Sequence, residues 1–468
     1  MFEIRALPAA AIALLLGCTR IYAQEAILNE NRTVEGPLIE WLECDKMLAH
    51  CGGARDYLDD HGIDLYGGYT AEVWGNTTGG LKQGAVYDGV LQFGTNLEFE
   101  KLIGWKGASF NTSWLWLSGE DPSVNLVGNF MSVSSIAGFQ TLRMFEMWFQ
   151  QDFFERPNGG HSGISLRLGQ IAVDQEFVIS KTGALFLNGT FGWPPSISSN
   201  IPNGGPAYPI GAPGVRFAIS PVEWFTFQTA VAESDVFAQN VNSHGFRWEL
   251  NRSLGYLWIN EAQVRWNHQD NATGLPGQLK VGAWFDSASD IPLANGSGNT
   301  WGNSGYYAII DQQLYSEPAD GAAPSGGKCT CPGDGKECKS FKEAANPATS
   351  SGQGLGCFAR VGFGPQDRNF VGFYCDGGLV YTGLIPGRDN DQCGIAVGYS
   401  GLSNGAADTL LSKGRSDAGY EMAIEGTYSI QVTKWLQIQP DTQYIIRPGG
   451  SGALGNAFVL GARATVTF

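Results

Sequence analysis

Phe458-Val459-Leu460-Gly461-Ala462-Arg463-Ala464-Thr465-Val466-Thr467-Phe468 closes the chain and decides its fold class. Side chains of a strand point alternately to its two faces. Read that way, Phe458, Leu460, Ala462, Ala464, Val466 and Phe468 make one apolar face. Val459, Gly461, Arg463, Thr465 and Thr467 make a mostly polar one. A soluble sheet alternates similarly, but the stop on Phe468 suits a wall that faces lipid.

The same split recurs upstream. Leu91, Phe93, Thr95 and Leu97 oppose Gln92, Asn96 and Glu98, and Phe246, Trp248 and Leu250 oppose Arg247, Glu249 and Asn251. Ala262, Val264 and Trp266 oppose Glu261, Gln263 and Arg265, and Tyr428, Ile430 and Val432 oppose Thr427, Ser429 and Gln431. No helical period supplies a layer to cover so many apolar faces. Closing the sheet removes its edges and turns those faces to lipid. The expected fold class is therefore all-β, a transmembrane antiparallel β-barrel. About sixteen or seventeen windows lie between Ile63 and Phe468, and the even strand numbers of single-chain bacterial barrels make sixteen the expected count. Short gaps such as Thr433-Lys434-Trp435 read as periplasmic turns. Long ones, Asn188–Pro213 and Ser316–Gly356, read as external loops.

Composition agrees. Of 468 residues, 65 are glycine and 16% are charged, against about 25% in soluble domains. The 14 Trp, 16 Tyr and 26 Phe suit aromatic girdles. After the leader no run is long and apolar enough for a membrane helix. The formal charge of −16 argues against nucleic acid as a partner.

Residues 1–23 read as a signal peptide: Arg5 opens it, Leu7 to Gly17 is apolar, and Ile21-Tyr22-Ala23 ends on a small residue. Leu15-Leu16-Gly17-Cys18 resembles a lipoprotein box, but a barrel gains little from a lipid anchor. Residues 24–62 read as a partly helical periplasmic segment, and 63–468 as the barrel. Eight cysteines then remain: Cys44 and Cys51; Cys329, Cys331, Cys338 and Cys357; Cys375 and Cys393. Export favours disulfides, expected between Cys375 and Cys393 and within the Cys329–Cys357 cluster, in an external loop near 316–357. The cluster lacks the paired knuckles of a zinc site, so no metal is expected.

Ordered motifs carry a family resemblance. Gly53-Ala54-Arg55 with Leu58 and Gly62-Ile63 comes first, then Leu142-Arg143 with Glu146, Trp148 and Gln151. Arg167-x-Gly169-Gln170, Asp174-x-Glu176-Phe177 and Leu185-Phe186-Leu187-Asn188-Gly189-Thr190-Phe191-Gly192 form the strongest run. Gly383-Leu384-Ile385-Pro386-Gly387-Arg388 with Asp391, Glu425-x-x-Tyr428, and Pro440-Asp441 through Arg447-Pro448-Gly449-Gly450 close the series. In this order they resemble the carbohydrate-selective porins. The resemblance implies a 16-stranded outer-membrane barrel that passes small neutral sugars such as glucose. It also implies outer-membrane lipid as surroundings and barrel-assembly machinery as the reader of Phe468. It allows homo-oligomers and implies no cofactor. The cysteine-rich insert and the cysteine pairs depart from the family.

Pore selectivity follows from diameter and from lining donors and acceptors that hold solute weakly. On inward parity the candidates are Glu72, Glu146, Arg167, Arg216, Arg247, Glu249 and Arg265. Arg143 has the opposite parity to Glu146 and requires a bulge or an interfacial place. Asp174 and Glu176 could pair as a glycosidase's carboxylates, but the family pattern accounts for them without catalysis, so no enzyme is expected. Asp389-x-Asp391 echoes a calcium loop whose closing Glu is replaced by Ser400. Two further readings stand beside the sugar channel: a general, non-selective porin, and a secreted carbohydrate-binding β protein.

Overall fold

The computed structural model describes residues 41–48, 53–154, 163–251, 253–268, 274–317 and 353–468. Sixteen strands close into one antiparallel barrel. They are β1 Ile63–Thr78, β2 Gly84–Glu98, β3 Ala108–Gly119, β4 Thr141–Asp152, β5 Ile164–Ile171, β6 Ala212–Val222, β7 Phe225–Glu233 and β8 Tyr256–Trp266. The second half holds β9 Gly277–Asp286, β10 Asn303–Ser316, β11 Gly354–Phe363, β12 Val371–Thr382, β13 Gln392–Leu402, β14 Tyr420–Thr433, β15 Leu436–Ile446 and β16 Ala457–Thr467. Each strand pairs with its chain neighbours. β16 closes the ring on β1, with Glu72 opposite Arg463. Every strand of the ring therefore has a neighbour on both sides, as a lipid-embedded sheet requires.

The apolar parity faces out. Val73, Phe93, Leu168, Val231, Ile395, Val397, Phe458 and Leu460 are all exposed on the outer surface. Their neighbours Glu72, Trp74, Arg143, Glu261, Arg360 and Glu425 are buried inside. Outward aromatic rings gather at two levels. Tyr306 meets Phe363 and Phe373 meets Tyr399 near one end, whereas Phe99, Trp105 and Phe149 cluster near the other. Two such girdles bracket a lipid-facing band.

The turns 223–224 and 434–435, with the C-terminus, lie at one end of the barrel; the long connections 120–140, 172–211 and 234–255 lie at the other. The short-turn end is periplasmic. Connections alternate between ends, and Ser316 of β10 and Gly354 of β11, paired with each other, both stand at the short-turn end; residues 318–352 between them lie outside the described residues. The expectation of an external loop near 316–357 is corrected: a long segment need not be an outer loop, since strand parity and not length sets the end. Residues 24–40 of the N-terminal segment lie outside the described residues. The helix Ala54–Asp60 lies beside β1. Trp41 packs on Trp435, Met47 N–H donates to the Thr467 carbonyl at 2.9 Å, and Arg55 donates to the carbonyls of Leu65 and Phe468 at 2.6 and 2.9 Å. This segment is thus moored to the C-terminal strand.

The structure also corrects the cysteine pairing. Cys375 stands opposite Tyr399, and Cys393 opposite Tyr381. Six residues along adjacent strands separate the two thiols by about 20 Å, far beyond the roughly 7 Å limit between bridged Cα atoms. Cys357, Cys375 and Cys393 are free thiols. All three sit on the outward parity, where free cysteine serves as a small apolar side chain. Cys51, Cys329, Cys331 and Cys338 lie outside the described residues.

A third correction concerns Phe246–Leu250. The alternation there is real, but the segment is unpaired in the 234–255 loop, entered through Gly245 at φ +75°. Its Phe246 packs on outward Trp114 at 5.7 Å, and Trp248 Nε1 donates to Gln170 Oε1 at 2.5 Å. β5 is only eight residues long, so the upper part of β4 lacks a strand beside it. The loop fills that seam, and Met144 N–H donates to the His244 carbonyl at 3.1 Å.

Candidate functional site

Two outer-end connections fold into the lumen. Leu126, Val127, Met131 and Val133 of 120–140 pack with Leu187 against Trp74, Tyr374, Ala423, Ile445 and Val459 of the wall. Phe177, Val178, Ile197 and Ile201 of 172–211 pack against Ala230, Ala232, Leu257, Ile259, Trp284 and Ile309. The inward face of β7 to β10 is therefore partly apolar because a loop covers it.

Inward loops bring backbone N–H groups into a dry interior, where they need partners. Wall carboxylates supply them. Glu421 accepts from Phe130 and Met131 at 3.1 and 2.7 Å, and from Gly449 at 2.6 Å. Glu425 accepts from Leu187 and Asn188 at 2.5 and 2.9 Å. Glu146 accepts from Ala172, and Glu261 from Val178, each at 3.0 Å. Glu72 accepts from Arg463 and from Ser134 of the first loop at 2.5 and 2.6 Å. Opposite in sign, Arg360 donates to the carbonyls of Val178, Thr190 and Gly192 at 3.2, 2.8 and 2.9 Å, and is paired with Asp376.

One polar face remains open. A cavity of about 340 Å³ is lined by Gln150, Asp152, Ser165, Glu176, Arg216, Ala218, Ser220, Thr226, Gln263 and Arg265. At its rim Gln150, Arg167 and Arg216 stand side by side across β4, β5 and β6. Two like charges directly opposite repel, and Glu176 sits between them. Its carboxylate meets Arg167 Nη1 at 2.7 Å and Arg216 Nε at 2.6 Å. Gln150 Oε1 accepts from both, at 3.0 and 2.9 Å. The Arg167 guanidinium lies 3.7 Å from the Trp148 ring centre, a cation–π stack. The result is a fixed fan of donors and acceptors beside an aromatic face.

Of the residues singled out from sequence, Arg216, Arg265 and Glu176 line this cavity, and Arg167 joins them through Glu176. Glu72 and Glu146 face inward but hold loops. Arg247 and Glu249 do not line the wall. They pair at 2.7 Å in the outer loop, 40% and 44% exposed, with Arg247 over Phe237. Arg143 faces inward because Phe145 is an extra residue between Ser113–Glu146 and Trp114–Met144, a bulge that resets parity. Its Nη2 donates to the Gln239 carbonyl at 3.0 Å.

The remaining motif residues are scattered. Asp174 accepts from Tyr208 N–H at 2.9 Å, and burial pushes its carboxyl up to about 6 despite that bond. Arg388 and Asp391 pair at 2.8 Å in the periplasmic 383–391 connection, and Arg447 stacks on Tyr420 in the outer 447–456 connection. Sequence reasoning missed Gln150, Asp152, Arg360 and Asp376. Inward parity was the available signal for each: Arg360 is the charged side chain of β11, flanked by outward Ala359 and Val361.

Residues 82–468 match the family described as carbohydrate-selective porin, OprB family. Porin B of Pseudomonas aeruginosa is 22% identical over 90% of this chain and 91% of its own length. A putative porin, QuiX, of Acinetobacter baylyi is 21% identical over 90% and 93%. The high-pH structure of Pseudomonas putida OprB superposes with a TM-score of 0.72 at 24% identity, covering 91% of this chain and 99% of that one.

Proposed function

This chain belongs to the carbohydrate-selective porin family, and we propose that the fan of Arg167, Arg216, Glu176 and Gln150 beside Trp148 is where its pore selects sugars. The protein is a sugar-selective porin of the outer membrane. The apolar exterior of a closed barrel sets aside the secreted, soluble reading. Family and fold are those of a transport channel, and Glu176 of the candidate site is tied up between two arginines, which supports transport without catalysis.

The single observation carrying the site is Glu176 wedged between two arginines at the mouth of the open cavity. Sugar hydroxyls both donate and accept, so they can exchange bonds with guanidinium N–H, carboxylate oxygen and the Gln150 amide in turn. Each exchange replaces one partner by another, which keeps residence short and exit easy. The Trp148 ring, stacked under the Arg167 guanidinium, fixes that arginine's plane beside the cavity.

Glucose should block ion current through the wild-type channel in planar bilayers. Arg167→Ala should weaken that block while the barrel remains heat-modifiable. Unchanged block and conductance would remove Arg167 and its fan from the selecting site and leave the general, non-selective pore as the better reading. Residues 1–23 fit the proposal as the export signal. Phe468, whose N–H donates to the Gly67 carbonyl at 2.9 Å, fits as the residue read by the barrel-assembly machinery. Homo-oligomers are compatible with the same barrel.

A further inference from the structure

Below the arginine fan, the segment 178–182 is held to the wall at nearly every residue. Glu261 accepts from Val178 N–H at 3.0 Å, and Lys280 Nζ donates to the Ile179 carbonyl at 2.7 Å. Asp311 Oδ1 accepts from Ser180 Oγ and Thr182 N–H at 2.6 and 3.0 Å. Val178 is forced to φ +63°, a region β-branched residues avoid. Held strain of this kind clusters at functional sites. What the wall bonds present is Lys181, exposed between two pinned neighbours.

Two further cations converge there. Gln263 stands opposite Lys280, and Arg265 opposite Gln278, so inward Arg265 and Lys280 are diagonal neighbours, about 7–8 Å apart at their backbones. The Lys181 ammonium is pushed down, first by burial and then by Lys280 and Arg265, with Asp311 acting the other way. His268, just past β8, is lowered by burial, with Lys181 and Arg265 adding to that and its bond to the Gly277 carbonyl opposing it. Asp311 and Glu261 are the carboxylates beside the cations, each diagonal to Lys280 and each committed to the loop through Ser180 and Thr182 or through Val178. Arg265 also lines the cavity that begins at Arg216. The cavity therefore leads from Arg216 to Arg265, with Lys280 diagonal to it and Lys181 two residues past the Ile179 carbonyl that Lys280 holds.

We propose that Lys181, Arg265 and Lys280 form an anion-accepting subsite at the periplasmic end of the pore, through which the channel passes sugar acids, monoanionic hydroxy-carboxylates, as well as neutral sugars. The inference rests on the reading of the pore as a sugar channel and names a second solute class for it. Hydroxyls would use the fan above, and the carboxylate the cations below. Three cations against two carboxylates leave one net positive charge, enough to draw in a monoanion and too little to hold it.

Flux of radiolabelled gluconate and glucose into proteoliposomes tests it, with wild type, Lys181→Gln and Lys181→Glu side by side. Wild type should pass both. Lys181→Gln should slow gluconate on the order of threefold to tenfold, as removal of one nearby charge predicts, and Lys181→Glu should slow it further. Glucose flux should hold in both variants, and the zero-current potential in a KCl gradient should move toward cation preference. Gluconate flux unchanged by Lys181→Gln, or wild type that passes glucose and excludes gluconate, would overturn the subsite. Failure of wild type to pass glucose would overturn the sugar-channel reading itself, and the subsite with it.

Discussion

Replacing Arg360 with Met should release part of the inward loop. The guanidinium donates to three carbonyls of the 172–211 connection, those of Val178, Thr190 and Gly192. It also pairs with Asp376, whose carboxylate further accepts from the Tyr374 hydroxyl at 2.5 Å. Each bond from a charged donor contributes about 1.5–3 kcal/mol. The buried Asp376 left without its cation costs about 3–5 kcal/mol more. Opposing release are apolar anchors such as Phe177, Ile197 and Ile201, each fully buried and worth about 1.5–3 kcal/mol. The bonds from the loop to Glu146, Glu261, Asp311 and Glu425 also survive, so release is confined to the stretch around Val178, Thr190 and Gly192 while the rest stays docked. In planar bilayers, Arg360→Met should raise single-channel conductance and weaken glucose block, while the closed wall keeps the barrel heat-modifiable. Adding Asp376→Asn removes the orphaned charge. The double variant should regain barrel stability yet keep the high conductance, since the carbonyl bonds remain lost. A folded Arg360→Met barrel with wild-type conductance and glucose block would refute the view that Arg360 holds the loop in the pore.

Leu168 is 47% exposed on the lipid face beside inward Arg167, so Leu168→Arg should cost about 2–4 kcal/mol near mid-membrane and lower the yield of heat-modifiable barrel; normal yield would mean that the two faces are reversed. Burial raises the Asp391 carboxyl, but bonds from Arg388, Gln431 N–H and the Tyr428 hydroxyl outweigh it and hold the group below its ordinary value. A depressed carboxyl contributes stability above its unfolded pKa of about 4 and loses it as pH falls through the folded value. The gap in thermal unfolding between wild type and Asp391→Asn should therefore be full at neutral pH and close in acid, and a gap independent of pH would contradict the pairing. Peptide mapping without reduction should find no link between Cys375 and Cys393, and lipid-soluble maleimides should label both; a cross-linked peptide would contradict the register of β12 and β13.

Much of the wall was legible because alternation is local. Arg167 against Leu168, Glu261 to Arg265, and Phe458 to Phe468 read correctly from side-chain parity alone, and closure followed from having no second layer. The opposite parity of Arg143 and Glu146 was legible too, and the structure chose the bulge over an interfacial place. Parity failed at Phe246–Leu250, because an alternating pattern is equally served by a segment laid across a seam with its aromatic face outward. The insert after Ser316 was misplaced because its length was weighed and the strands before it were not counted.

Sequence by itself determined the barrel, its even strand number, its lipid-facing parity and its family, since each rests on side-chain chemistry repeated along the chain. Only the tertiary structure decided which inward charges meet. Arg167 and Glu176 are nine positions apart, Arg216 is forty beyond Glu176, and they touch because β5 and β6 pair while the loop between them turns back into the lumen. Glu425 reads like Glu176 in sequence, yet it holds the backbone of Leu187 and Asn188 while Glu176 holds two arginines. The physical reason is the same in both cases. A carboxylate's role is set by the donors that arrive around it, and long-range folding of the loops, not the local pattern, delivers those donors.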